Sequence, residues 1–213
     1  MKSLFRFDHR NILNQIPKPY IGTCQWITQD PEFRRWRQAR SSSNLGAPES
    51  CRVLSIYGSP GVGKTVMSRY VLTYLRQALK THLENPPFVV YFFCDDKDRK
   101  RRTSLNLLRS LLFQILIDDR TLLRYISEDT MEAHLKKLRD HSMETNELQD
   151  LWDALSSVIQ RSRAAQFWIV IDALDELDVA SRRDVIRQLT RILEKDTVGR
   201  LKILLTDRTG TPF

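Results

Sequence analysis

The tightest restriction on this chain is Gly58-Ser59-Pro60-Gly61-Val62-Gly63-Lys64-Thr65, a full GxxxxGK[ST] match. It directly follows a short apolar run at residues 52–57 (RVLSIY) and opens a helical pattern from about residue 63 to residue 80. Glycines at this spacing let a loop turn its backbone N–H groups inward, which makes an anion nest at the start of a helix. Lys64 is then placed to reach the β and γ phosphates of a nucleotide, and the Thr65 hydroxyl to ligate Mg²⁺. At average residue frequencies a chance match in a chain of this length is on the order of one in a hundred. Strand, loop and helix in that order also supply the context the motif needs.

The rest of the chain repeats the alternation. Asn85-Pro86-Pro87 breaks it, and residues 88–94 (FVVYFFC) form a continuous apolar run of the kind found in strands covered on both faces. A charged loop follows at 95–102. Thr103 or Ser104 then begins a helix to about residue 117, with Leu105, Leu108, Leu112 and Ile115 on one stripe. Residues 121–140 and 145–162 read as two further helices, 167–171 (FWIVI) as a buried strand, 180–194 as a helix and 201–205 (LKILL) as another strand. Strands apolar throughout, alternating with helices, predict an α/β fold with a parallel sheet and helices on both faces. Ahead of this, residues 1–20 read as an arm or linker ending in Pro17-Lys18-Pro19. Residues 21–50 read as a helical lead-in, in which Asp30-Pro31 opens a helix over 32–40 and Trp26, Phe33 and Trp36 form an aromatic packing face. Residues 51–213 are the core.

Parallel sheets of this type bind ligands beyond the carboxyl ends of their strands, so those positions carry the chemistry. After 167–171 comes Asp172-Ala173-Leu174-Asp175-Glu176. A buried strand delivering Asp172 at its end provides the carboxylate a nucleotide-bound Mg²⁺ needs opposite Thr65. Asp175 or Glu176, a turn further on, is placed to orient and deprotonate an attacking water. After 201–205 comes Thr206-Asp207-Arg208, where Arg208 is a candidate to meet the γ phosphate.

Composition removes other classes. The three cysteines, Cys24, Cys51 and Cys94, are odd in number and far apart, with no CxxC pair, which argues against a disulfide scaffold or zinc module. Cys24 and Cys94 read as small buried hydrophobes. No apolar run approaches the roughly 20 residues of a membrane helix, and no secretory h-region opens the chain, so the expectation is a cytoplasmic protein with no membrane span. Lys and Arg total 34 against 26 Asp and Glu, a formal +8. Residues 1–50 hold 8 basic and 4 acidic side chains, 51–120 hold 12 and 6, and 121–213 hold 14 and 16, so the excess lies in the first 120 residues. The basic run 97–102 (KDRKRR) contains an acid and no interleaved aromatics for stacking on bases, so it reads as a solvated loop and argues against nucleic acid as a partner.

With GSPGVGKT at 58–65, DALDE at 172–176 and TDR at 206–208 in place, the sequence resembles the NACHT branch of the STAND P-loop NTPases. More closely, it resembles the nephrocystin-like amino-terminal NACHT domain common in filamentous fungi. That likeness is carried by GTCQWI at 22–27, the Phe33/Trp36 helix, VVYFFC at 89–94 and RTSLNLLRSLLFQIL at 102–116. The resemblance covers roughly residues 20–208. It implies a parallel P-loop NTPase sheet of the ASCE type that binds ATP or ADP with Mg²⁺. It further implies slow hydrolysis, with nucleotide state driving conformational change and homo-oligomer assembly under an unknown effector. Gly58, Ser59, Pro60, Gly61, Val62, Gly63, Lys64 and Thr65 match the phosphate loop, and Asp172 matches the metal residue. Asp175 and Glu176 match the catalytic acidic pair, Arg208 matches the sensor arginine, and GTCQWI becomes a candidate for contact with the base.

Two departures stand out. Position 207 is Asp where the family usually has Ser, and a carboxylate pointing at the γ phosphate would repel it. The family also continues into another strand and a winged helix past the point matching Phe213, so the expected core is incomplete at its carboxyl-terminal end. Two other function classes remain open at this point: a P-loop kinase or steady-state ATPase, and a remnant serving only as an interaction module. The paired acids after the second site argue for activated water over a phosphoryl acceptor.

Overall fold

The computed structural model describes residues 9–38, 52–78, 85–125 and 147–208. Four strands form one parallel sheet: β1 (Val53–Tyr57), β2 (Phe88–Phe93), β3 (Phe167–Asp172) and β4 (Leu201–Asp207). Their spatial order is β1-β4-β3-β2, so the phosphate-loop strand and the acid-bearing strand flank β4. The helices are α1 (His9–Gln15), α2 (Pro31–Gln38), α3 (Lys64–Ala78), α4 (Ser104–Asp118), α5 (Glu147–Arg161) and α6 (Val179–Lys195). The α/β class with a helix-covered parallel sheet is as expected. The predicted helix over 121–140 falls largely on residues outside those described, as do the loop at 41–48 and residues 79–80.

The pleat divides the core in two. Successive side chains of a strand point to opposite faces, so Phe167, Ile169 and Ile171 of β3 join Leu201, Ile203 and Leu205 of β4 under α4, α5 and α6. Trp168 and Val170 turn the other way and join Leu204, Val71, Leu72 and Leu75 under α3, with Phe33 and Trp36 of α2. β2, β3 and β4 are buried along their whole length, which explains why they read as unbroken apolar runs.

Local chemistry sets the helix starts. The Asp30 carboxylate accepts from the backbone N–H of Glu32 (2.9 Å) and Phe33 (3.1 Å), capping α2 as the sequence predicts. Asp178 caps α6 by accepting from Ser181 N–H at 2.7 Å. β4 runs two residues beyond its predicted end, taking Thr206 and Asp207 into the strand. Residues 1–20, read as an arm or linker, contain α1, whose Ile12 and Leu13 pack with Ile16 on the α3 face of the core. The Tyr91 hydroxyl donates to the His9 carbonyl at 3.2 Å, and Arg69 of α3 donates to the Ile16 carbonyl.

Two other expectations change. Trp26 is 58% exposed and leaves the aromatic face, while Phe33 and Trp36 are buried with ring centroids 5.5 Å apart. Cys94 is buried, but Cys24 is only half-buried and takes a left-handed backbone (φ 64). Lys202, in the middle of β4, is fully buried. Its Nζ donates to the carbonyls of Trp36 (2.9 Å) and Arg37 and lies 4.5 Å from the Trp168 ring centroid, so it caps the carboxyl end of α2 and ties the lead-in segment to the sheet.

At β2, the far strand of the sheet, side chains take up main-chain groups of Tyr91 and Val89. The Gln114 amide accepts from Tyr91 N–H (3.1 Å) and donates to Tyr91 C=O (2.8 Å). Arg76 donates to Val89 C=O at 3.1 Å.

Candidate functional site

Three loops meet at the carboxyl ends of β1, β3 and β4. The first is 58–63. Gly61 (φ 81) and Gly63 (φ 92) both take left-handed backbone, open to glycine without penalty, and a Cβ at either position would meet no atom within 4 Å. Both Cβ directions thus open onto unfilled space beside the amino terminus of α3, where helix-end N–H groups favour an anion. Lys64 folds back over this loop, its Nζ donating to the carbonyls of Gly58 and, at 3.0 Å, Ser59. Its ammonium thus sits at the loop's mouth and is not buried elsewhere. Val62 is 63% exposed.

The second loop begins at Asp172, the last residue of β3, which is 2% exposed. A carboxylate this buried requires donors, and three hydroxyls supply them. Thr65 donates to Oδ2 at 2.6 Å, Ser68 to Oδ1 at 2.6 Å and Thr206 to Oδ1 at 2.7 Å. The structure thus joins Thr65 and Asp172, the pair that the sequence assigned to a metal. Ser68 lies one turn after Thr65 on α3, on the face that meets β3.

The chain then turns sharply. Ala173 has φ 55, a conformation that costs a residue with a Cβ about 1–2 kcal/mol, and its N–H donates to Thr206 Oγ1 at 2.8 Å. This turn delivers Asp175 and Glu176 on one 3₁₀ turn, Leu174–Glu176.

The third loop is the end of β4. Arg208 engages both acids: its Nε lies 3.1 Å from Asp175 Oδ2, its backbone N–H donates to Asp175 Oδ1 at 3.2 Å, and its guanidinium donates to Glu176. The predicted arginine and acidic pair therefore meet each other directly. Glu176 also lies close to Asp95 and Asp96, at the start of the basic loop. Burial raises the Glu176 carboxyl above its ordinary range; Arg208 opposes that rise, while Asp96 and Asp175 add to it. Within the basic loop, Arg101 pairs with Asp95 and, at 3.0 Å, with Asp98, closing it on itself.

The concern over Asp207 resolves through strand alternation. Because β4 continues through this residue, Thr206 faces Asp172 while Asp207 faces the opposite side, under α6. There its Oδ2 takes a 2.6 Å bond from Arg182. The carboxylate points away from the phosphate loop.

Ser68 and Thr206 were not assigned roles from sequence. A hydroxyl three residues after Thr65 on the same helix was the available signal for Ser68; Thr206 lay inside TDR, overshadowed by Arg208.

This fold and this convergence of loops define a P-loop NTPase-like domain. The chain belongs to the nephrocystin 3 N-terminal family, whose sequence model matches residues 22–208. Among solved structures it is similar to the ORC2 protein of Aeropyrum pernix, described as ADPNP-ADP complexes. The TM-score is 0.51 at 15% identity, and the match covers 94% of this chain but 45% of the ORC2 chain. No curated protein matches the chain. Among the described residues, no helix is long and apolar enough to cross a membrane.

Proposed function

We propose that this chain is a nucleotide-binding switch domain of the NACHT type, taking ATP or ADP with Mg²⁺. The observation that carries the reading is the Thr65–Asp172 hydrogen bond of 2.6 Å, which joins the phosphate loop to the end of β3 across 107 residues. The residues fit a nucleotide phosphate: the Cβ directions of Gly61 and Gly63 are unfilled, and Lys64 lies over the same loop at the start of α3. They also fit Mg²⁺, since a hydroxyl and a carboxylate oxygen are the hard donors this cation takes. When bound, the ion would neutralise charge on the phosphates. Thr65 and Asp172 would hold it. That the similar ORC2 structure carries ADPNP and ADP is consistent with nucleotide at this place.

The remaining side chains have distinct tasks in this reading. Lys64 exchanges the loop carbonyls for phosphate oxygens. Glu176, whose carboxyl burial raises above its ordinary range, is the proton acceptor for an attacking water in this reading. Arg208 holds both acids together, and its partial exposure leaves it free to turn toward a γ phosphate. A base this closely paired works slowly, in keeping with a domain that uses nucleotide state for conformational change and self-assembly. Isothermal titration with ADP and with a non-hydrolysable ATP analogue is the test. Micromolar binding in the presence of Mg²⁺ that falls at least tenfold in Lys64→Ala is the expected result. Tight binding unchanged in Lys64→Ala overturns the proposal.

A further inference from the structure

Thr206 occupies a position that the phosphate-site chemistry does not account for. It is 1% exposed, near the end of β4 and two residues before Arg208, and its one hydroxyl makes two bonds of opposite sense. It donates to Asp172 Oδ1 at 2.7 Å and accepts from the Ala173 N–H at 2.8 Å. A hydroxyl has a single proton to give and lone pairs to receive, so the two bonds are directionally fixed and polarise one another.

The two partners do different work. Asp172 is the carboxylate opposite Thr65. Ala173 is the left-handed residue that turns the chain and sets where Asp175 and Glu176 stand. A strained backbone persists only where its surroundings hold it, and the Thr206 bond to the Ala173 N–H is such a hold. Around Asp172 the oxygens are also unequal. Oδ2 is bonded by Thr65, which directly follows the phosphate-loop lysine. Oδ1 is bonded by Ser68 and Thr206, which belong to the body of α3 and to β4 and have no part in that loop. Oδ1 is anchored to the scaffold, whereas Oδ2 faces the phosphate loop.

We infer that Thr206 is a positioning residue that couples the metal-side carboxylate to the acidic pair: one hydroxyl fixes both the aim of Asp172 and the Ala173 turn, so a change at one is felt at the other. Ser68 shares only the first task. The inference rests on the reading of Asp172 as a Mg²⁺ ligand for its metal half; its mechanical half stands on the two Thr206 hydrogen bonds alone.

The experiment compares wild type, Thr206→Val, Thr206→Ser and Ser68→Ala by two measurements. The first is hydrogen exchange of the protein without nucleotide. Loss of one hydrogen bond worth about 1 kcal/mol makes exchange at the Ala173 amide and through Glu176 roughly fivefold faster in Thr206→Val. Thr206→Ser restores the wild-type rate, and Ser68→Ala leaves these amides unchanged. The second is ADP affinity with Mg²⁺ and with EDTA. Residues that orient a metal ligand typically govern tenfold or more in metal affinity, so both Thr206→Val and Ser68→Ala lose about tenfold of the Mg²⁺ enhancement while metal-free ADP binding stays within twofold. Thr206→Ser keeps the enhancement. A Thr206→Val protein with wild-type exchange at 173–176, or with the full Mg²⁺ enhancement, overturns the coupling. Wild-type protein that binds ADP equally well with and without Mg²⁺ instead overturns the metal reading of Asp172. The exchange data then still decide the Thr206–Ala173 link.

Discussion

The two faces of the sheet are built from the same strands and differ in kind. Under α4, α5 and α6, β3 and β4 contribute Phe167, Ile169, Ile171, Leu201, Ile203 and Leu205, an apolar layer whose polar end is the Arg182–Asp207 pair. Under α3, the alternate residues of the same two strands include Lys202, Asp172 and Thr206, each buried and each hydrogen-bonded. One face supplies cohesion and the other carries the polar constellation. A period of two along a strand is enough to separate them, and the carboxylate at position 207 is tolerable because it falls on the cohesive side.

That division can be broken by substitution. The largest effect is expected from Ile169→Ala, which removes a fully buried side chain from the cohesive face and costs about 3 kcal/mol in a urea titration. ADP affinity of the folded fraction should not change; a coupled loss would show that the faces are not separable. Next is Lys202→Met on the polar face. It fills similar volume but leaves the Trp36 and Arg37 carbonyls without their donor, at about 2 kcal/mol, with faster hydrogen exchange over 31–38. A neutral result would mean that apolar contact alone docks α2. Asp207→Ser is expected to cost about 1 kcal/mol, since its partner Arg182 keeps partial solvent contact, and to leave Mg·ADP affinity within twofold. A change in affinity would mean that the carboxylate reaches the phosphate side.

The smallest effect concerns pH. Burial raises the Glu176 carboxyl above its ordinary value near 4.5, so the folded protein binds this proton more readily than the unfolded chain does. Its contribution to stability is therefore present below pH 4.5 and declines as pH rises through the raised value. Melting temperature in Glu176→Gln should fall less steeply than wild type between pH 4.5 and neutrality; an identical slope would assign the dependence to other groups.

Much of this was legible from the chain. Fully buried parallel strands write themselves as apolar runs, and the spacing from Gly58 to Thr65 names a loop whose geometry is almost fixed by its glycines. The ends of β1, β3 and β4 could be read for chemistry because parallel sheets gather those ends together. Other features escaped for physical reasons. Strand order depends on crossovers that leave no local signal. α1 is only seven residues long and is held by tertiary contacts through Tyr91 and Arg69, so its own sequence is too short to announce it. Lys202 in LKILL has no partner nearby in sequence: the carbonyls it bonds belong to Trp36 and Arg37, 166 and 165 residues away. Ser68 and Thr206 act by donating hydroxyls to a carboxylate that is remote in sequence, and pattern reading sees no such distance. Trp26 followed the composition of its neighbours on paper but stands outside their packing.

The side-chain seal on β2 has a consequence for how this protein can associate. Gln114 occupies both outward main-chain groups of Tyr91, and Arg76 occupies the carbonyl of Val89. A strand arriving from another molecule finds those sites taken, and would have to evict a buried amide before it could zip on. Hydrogen-bonded growth of the sheet beyond β2 is therefore stoppered at Val89 and Tyr91, in the body of the strand.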